Sequence, residues 1–167
     1  MSYITREGYN LIKRRLKHLW KEERPYVTGK VKEAAAMGDR SENAEYIYGK
    51  KQLREIDKKI RFLSKKLESL QVIEHLPKEQ SKIFFGAWVG INFEKKNLSY
   101  RIVGADETEA NRDYISINAP LARALIGKKV GERVSIRETL LKLAGSQKNR
   151  DYEPRQLRYT IISISYE

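Results

Sequence analysis

The sequence predicts an α+β protein in two parts, an N-terminal antiparallel α-helical coiled-coil hairpin followed by a small α+β domain. Three observations predict it. Apolar residues recur at steps of three and four from Thr5 to about Leu70, a polar bend interrupts them around Gly38, and beyond "HLPKEQ" the apolar period drops toward two. The two parts are placed at residues 1–76 and 77–167.

The first arm carries Tyr9, Ile12, Leu16 and Trp20, then Val27, Val31 and Ala34, with Thr5 as N-cap and Gly38 as the helix stop. Pro25 breaks the pattern. A proline inside a helix removes a hydrogen bond and clashes with the preceding turn, so a kink is expected near Trp20 to Arg24, where the seam also changes register. The second arm is stricter: Tyr46, Gly49, Leu53, Ile56, Ile60, Leu63, Leu67 and Leu70 alternate steps of three and four, a coiled-coil seam. Two arms joined by a few residues must fold back on each other, each spanning roughly 45 Å at about 1.5 Å per residue.

In the second part, "FFGAWVGINF" places Phe85, Ala87, Val89, Ile91 and Phe93 on one strand face, and "LSYRIVG" and "RDYISIN" continue with β-branched and aromatic residues. "EKKN" reads as a hairpin turn, "PLARALIG" as a short helix begun by Pro120, and "RYTIISISYE" as a terminal strand. Between them a polar stretch from Arg137 to Gln156 reads as a loop, or a short helix at "ETLLKLAG", inserted between two strands.

Composition narrows the chemistry. The chain's 167 residues, 40% of them hydrophobic, support a modest core, and no run of eighteen apolar residues or apolar leader directs it to a membrane, so a cytoplasmic location is expected. With no cysteine and only His18 and His75, disulfides, thiolate nucleophiles and histidine metal boxes are excluded, and any metal must use oxygen ligands. A formal charge of +12 favours an anionic partner, nucleic acid first, although basic chains also bind acidic proteins and membranes.

The bend reads "MGDRSENAEY", and its acids admit two interpretations. Asp39 and Glu42 have the spacing of a capping box, with Asp39 as N-cap and both acids favoured by the helix dipole. Alternatively, Asp39, Glu42 and Glu45 crowd the apex of a hairpin, far from any core. A bare tip offers no water-excluding cleft, so acids that act there must complete a site belonging to a partner. Magnesium suits such sharing, because it takes one or two carboxylates and fills its remaining positions with water and phosphate oxygens. Asn43 can hydrogen-bond and shape the loop.

Lys51, Arg54, Lys58, Arg61 and Lys65 repeat at three and four residues, and the segment from Lys50 to Lys66 holds eight Lys or Arg against Glu55 and Asp57, a net +6. Either this is a solvated flank partly paired to Glu22, Glu23 and Glu33, or it contacts RNA phosphates in a salt-sensitive, sequence-indifferent way. Tyr46 and Tyr48 lie near the tip, where a base could stack, but Tyr46 also occupies a seam position.

Taken together, "GDRSENAEY", the preceding "LWKEERPYV", the "KKQLREIDKKIRFLSKKLE" helix and the later "FFGAWV", "RIVG", "DYISI" and "PLARALIGKKVGE" resemble the Gre family of bacterial transcript cleavage factors. The likeness runs from about Thr5 to Arg133 and resumes in the last strand. It implies an FKBP-like C-terminal domain and, as partner, RNA polymerase, bound at the rim of its secondary channel with the coiled coil inserted. In that family the tip acids corresponding to Asp39 and Glu42 help hold the second catalytic Mg²⁺ and orient a water, so the ion is held jointly with the polymerase and none is bound stably alone. The factor is then no enzyme itself: it stimulates the polymerase's own endonucleolytic cleavage of backtracked nascent RNA. The resemblance assigns RNA contact to Lys50, Lys51, Arg54, Lys58, Arg61 and Lys65, and polymerase contact to Asn118, Ala119 and Pro120. It favours a monomer. Two departures stand out. Related sequences commonly carry an acid where this chain has Asn118, and they close the region of the Arg137 to Gln156 insertion with a tight turn. Two other functions fit the same scaffold: a non-cleaving regulator that occupies the channel, and an RNA-binding coiled-coil protein whose acids only cap a helix.

Overall fold

The computed structural model describes residues 2–38, 43–137 and 156–166, and the chain divides into two units, Met1–Ile73 and Glu74–Glu167. The architecture is α+β, a helical hairpin followed by a sheet-containing domain.

The first unit opens with strand β1 (Ser2–Thr5) and runs through α1 (Arg6–His18), a π-helical turn (Leu19–Glu23), α2 (Arg24–Ala36), α3 (Ala44–Ser69) and strand β2 (Leu70–Ile73). Thr5 caps α1 as its sequence position predicts, its hydroxyl accepting from the Gly8 N–H at 3.0 Å. The expected disturbance at Pro25 takes a specific form. Proline cannot donate to the carbonyl four residues back and its ring crowds that carbonyl. The chain answers by widening the preceding turn, so that the Arg24 N–H reaches Leu19 O, five residues back.

That widening also sets the seam. Leu16 to Leu19 is a step of three, but Leu19 to Val27 is a step of eight, two turns plus the extra residue that the π-turn absorbs. Leu19, 1% exposed, therefore takes the seam position expected for Trp20, which is 57% exposed. Leu19, Val27, Ile56 and Ile60 form the hairpin core, with Leu16, Val31, Leu53 and Leu63 packed around them. Nearer the tip the helices approach closely at Gly49, which is buried; a Cβ there would lie 2.6 Å from Val31 Cγ2.

The seam expected to end in Leu70 stops one residue earlier, because Leu70 begins β2, which pairs in parallel with β1 from Ser2↔Leu70 to Thr5↔Ile73. This pairing buries Ile4 completely. Neither four-residue strand was legible in the sequence: "LQVI" continues the helical spacing and "SYIT" is too short to show a period.

The second unit is a five-stranded sheet of order β5-β4-β3-β7-β6, with β3 at Trp88–Phe93, β4 at Lys96–Val103, β5 at Tyr114–Ser116, β6 at Arg133–Arg137 and β7 at Gln156–Ser165. Helix α4 (Pro120–Leu125) sets Ala122 and Leu125 into the core formed by Ile83, Ala87, Val89, Ile91, Ile102 and Ile161. Of the expected strand face, Ala87, Val89 and Ile91 are wholly buried and Phe93 packs on the core, stacked on Tyr159 at 4.8 Å. Phe85 instead lies in a turn with Gly86 (φ +87°), ahead of the strand. Along β3 and β7 the register shifts between Gly90 and Ile91, so Ile162 is the extra residue of a bulge. Tyr166, next after β7, fastens the chain end: its hydroxyl accepts from the Phe84 N–H at 2.8 Å and donates to Lys82 O. Burial raises the Tyr166 pKa, keeping the phenol protonated as a donor.

The expected "EKKN" turn joins β3 to β4, with Phe93 paired to Lys96 and both linking residues left-handed, Glu94 at φ +47° and Lys95 at φ +66°. The expected short helix at "ETLLKLAG" and most of the Arg137 to Gln156 insertion lie outside the described residues; its two ends pair across β6 and β7, Arg137↔Gln156.

Two stability outcomes follow from these contacts. Gly49→Ala should destabilise the chain by about 1–3 kcal/mol, the usual cost of overpacking, because Val31 is β-branched and has little rotamer freedom in a helix; Val31→Ala should recover most of the loss in a double-mutant cycle read by thermal unfolding. Lys95→Gly should raise stability by about 1 kcal/mol, by removing a side chain from a left-handed position, and the same melts measure it.

Candidate functional site at the hairpin tip

The tip is bracketed by two described anchors. α2 ends at Ala36, Met37 caps it with its N–H on Ala34 O at 3.2 Å, and Gly38 leaves the helix at φ +142°, a conformation suited to glycine. α3 starts at Ala44 with Asn43 as N-cap, whose side-chain oxygen accepts from the Tyr46 N–H at 3.1 Å. The Asn43 amide nitrogen donates across the bend to Ala34 O at 2.9 Å. One side chain thus satisfies an orphan N–H of α3 and gives the Ala34 carbonyl of α2 a second donor beside the Met37 N–H.

This corrects the capping reading of the acids. α3 is capped by Asn43, four residues beyond Asp39, so it does not draw its N-cap from Asp39. Asp39 and Glu42, expected from the resemblance to act in catalysis and metal binding, lie outside the described residues, between the two anchors in sequence. Glu45 is exposed in the first turn of α3, where the helix dipole favours a negative charge. Among the described residues no group of three histidine, cysteine or acidic side chains could hold a metal. Two carboxylates in the bend are hard oxygen donors of the kind magnesium accepts, and they are too few to enclose it, so the donor set fits an ion shared with another molecule.

On the basic line, Lys50, Lys51, Arg54, Lys58, Arg61 and Lys65 are all exposed on α3. The pairing expected from Glu22, Glu23 and Glu33 goes elsewhere: Glu22 meets His18 at 2.9 Å, Glu23 meets Arg15 at 2.9 Å and His18 at 3.2 Å, and Glu33 meets Lys30 at 3.9 Å. The reason is proximity, since each of these acids finds a base on its own stretch of helix. The two acids of the basic segment are already engaged. Asp57 holds Arg24 of α2 at 2.8 Å, and Glu55 holds Lys58 at 3.0 Å, a hydrogen bond that lowers the Glu55 pKa and keeps it ionised. Lys50 lies over the Tyr46 ring at 5.6 Å, which leaves Tyr46 half-buried rather than in the core, while Tyr48 is exposed. Lys51, Arg54, Arg61 and Lys65 have no ion pair among the described residues, so their charge faces solvent.

The third group sits in the other unit. Asn118 and Pro120 are exposed; the Asn118 N–H donates to Ser116 Oγ at 3.2 Å, the Ala119 N–H donates to Ser116 O at 2.8 Å, and Ala119 caps α4 with Pro120 at its first position. Ser116 thus holds the loop through both its hydroxyl and its carbonyl.

The Asn43 staple gives a direct test of how the tip is held. Asn43→Ala should cost about 1 kcal/mol, the usual value of a lost N-cap, and should speed amide exchange at Tyr46 and its neighbours. Asn43→Asp keeps the acceptor toward Tyr46 but removes the donor toward Ala34, so it should retain helix capping while loosening the bend.

Comparison with known proteins assigns the family. Residues 2–72 match the family described as "Transcription elongation factor, N-terminal", and residues 78–140 match "Transcription elongation factor, GreA/GreB, C-term". Transcription elongation factor GreB of Haemophilus ducreyi is 57% identical over 136 residues, covering 81% of this chain and 84% of that protein. GreB of Yersinia pestis is 55% identical over 81% of this chain and 80% of its own length, and GreB of Vibrio cholerae is 50% identical over 80% and 84%. A crystal structure of GreA factor homolog 1 (Gfh1) from Thermus thermophilus aligns with 98% of this chain and 97% of its own, with a TM-score of 0.41 at 19% identity. With both halves matched and relatives above half identity over four-fifths of its length, the chain belongs to the GreA/GreB family of transcription elongation factors.

Proposed function

We propose that this transcription elongation factor acts on RNA polymerase through the secondary channel, where it stimulates the polymerase's own cleavage of backtracked nascent RNA and so releases arrested complexes. In this reading it is an accessory factor without nuclease activity of its own, working as a cytoplasmic monomer. The observation that carries the proposal is the position of Asp39 and Glu42, in the bend of a hairpin whose second helix is capped by Asn43. α3 alone, at 26 residues, extends about 39 Å at 1.5 Å per residue. That length suits a probe entering a channel, and among the described residues no helix is long and apolar enough to cross a membrane.

Chemically, the carboxylates of Asp39 and Glu42 would supply oxygen donors to a magnesium ion held jointly with the polymerase. Such an ion, in a two-metal site, activates water and stabilises the leaving oxygen of a phosphodiester. The chain's own contribution would be delivery of two negative groups, supported by Asn43, which ties the start of α3 to Ala34 of α2. The uncompensated cations of α3 would meet RNA phosphates along the same arm, and Asn118, Ala119 and Pro120 would meet the polymerase surface.

The test is the variant pair Asp39→Asn and Glu42→Gln, which removes charge and preserves size. Since the α3 cap is Asn43, the melting temperature should not change. Transcript shortening in backtracked elongation complexes with Mg²⁺ should fall by roughly a hundredfold, the order that loss of preorganised electrostatic groups costs, while polymerase binding persists. Cleavage at the unsubstituted rate would refute the proposed mechanism.

A further inference from the structure

The exposure of Trp20 is unexplained by the hairpin's own packing. The π-turn rotates this indole out of the seam, yet it does not project alone. With Leu16 and Ile60 it walls an open groove of about 530 Å³ between the first arm and α3, and Lys13, Lys17 and Lys21 form its rim. The lysines are spaced four apart, about 6 Å along a helix. None of the three is ion-paired among the described residues, so they form a bare positive row beside an apolar strip.

The indole is also held in place. The Arg24 guanidinium lies 5.7 Å from its ring centroid and is itself tethered to Asp57 at 2.8 Å. An aromatic ring fixed at the edge of an apolar groove, next to a row of cations, is the combination that single-stranded nucleic acid requires: bases stack on the ring and phosphates follow the charges. An acidic peptide would use the lysines and would have no need of an exposed ring face.

We infer that the groove at Leu16, Trp20 and Ile60 is a stacking site for single-stranded RNA, with a base on the Trp20 indole and the flanking phosphates on Lys13, Lys17 and Lys21. This rests on the RNA-contacting part of the proposed function and extends it to a helix on which no RNA contact was assigned. Stacking on one ring is sequence-tolerant, so the site grips the strand without reading it.

The experiment uses the full chain. Trp20 and Trp88 are its two tryptophans, and Trp88→Phe leaves Trp20 as sole reporter. Addition of a short single-stranded oligoribonucleotide should quench Trp20 emission. In the otherwise unsubstituted chain, Trp20→Leu should weaken RNA binding roughly tenfold, within the range for one stacked base, with an unchanged melting temperature. Replacing Lys13, Lys17 and Lys21 by Gln should lower the salt slope by about 2, at about 0.7 per phosphate contact. RNA binding without any change in Trp20 emission would overturn the inference, and so would failure of the chain to bind RNA. Stronger quenching by polyglutamate or phosphatidylglycerol vesicles than by RNA would also overturn it, in favour of another anionic partner. Each of these results leaves the Asp39 and Glu42 cleavage test standing, so the two readings fail separately.

Discussion

Pro25 is the constraint around which the hairpin is phased. A proline in the middle of a packed helix removes a hydrogen bond and pushes against the preceding turn, and the chain absorbs both effects by placing five residues in the turn before it, Leu19 to Glu23. That extra residue rotates everything upstream relative to everything downstream. Leu19 moves into the core and Trp20 out of it, while Val27, Val31 and Ala34 remain aligned with α3. The π-turn thus lets a helix that contains proline keep a continuous apolar stripe. The exposed indole, with the Arg24 guanidinium over its ring, is the visible residue of that solution.

From this phasing follows a division of the hairpin's charge. Acids on the first arm are consumed locally, by Arg15, His18 and Lys30, and Arg24 reaches across to take Asp57. The negative charge that could have neutralised α3 is spent within helical turns or on the cross-helix tie. α3 therefore presents a largely uncompensated positive flank, and its segment from Lys50 to Lys66 holds a net +6 of the chain's +12. In the sequence, Asp39 and Glu42 precede this helix.

Periodicity made the two-part architecture, the seam and the terminal strand legible in advance, because each of those elements is long enough to show its period. Thr5 and Gly38 were legible for a local reason: a cap and a left-handed stop are chemistries of single residues. What escaped notice was decided by competition. Asp39 and Asn43 are both good N-caps; the sequence contains the capping box at Asp39 and Glu42, but Asn43 also bonds to Ala34, nine residues earlier, and spacing along the chain does not report a contact across a bend. Trp20 fits an ideal helical period and fails a widened one. The β1 and β2 strands are too short to carry a pattern, and only their pairing with each other defines them. The roles of Asp39 and Glu42 rest on the motif alone, which is a statement about chemistry rather than geometry.

The pairing of β1 with β2 has a consequence for the order of events during synthesis. Ser2 to Thr5 leave the ribosome well before Leu70 to Ile73 and have no strand partner until those residues emerge, so the base of the hairpin closes only when the first unit is complete. The second unit waits longer still, because β3, central in its sheet, needs β7, the last strand made. A nascent chain therefore holds a finished hairpin while its sheet is still missing a strand, and the two units mature one after the other.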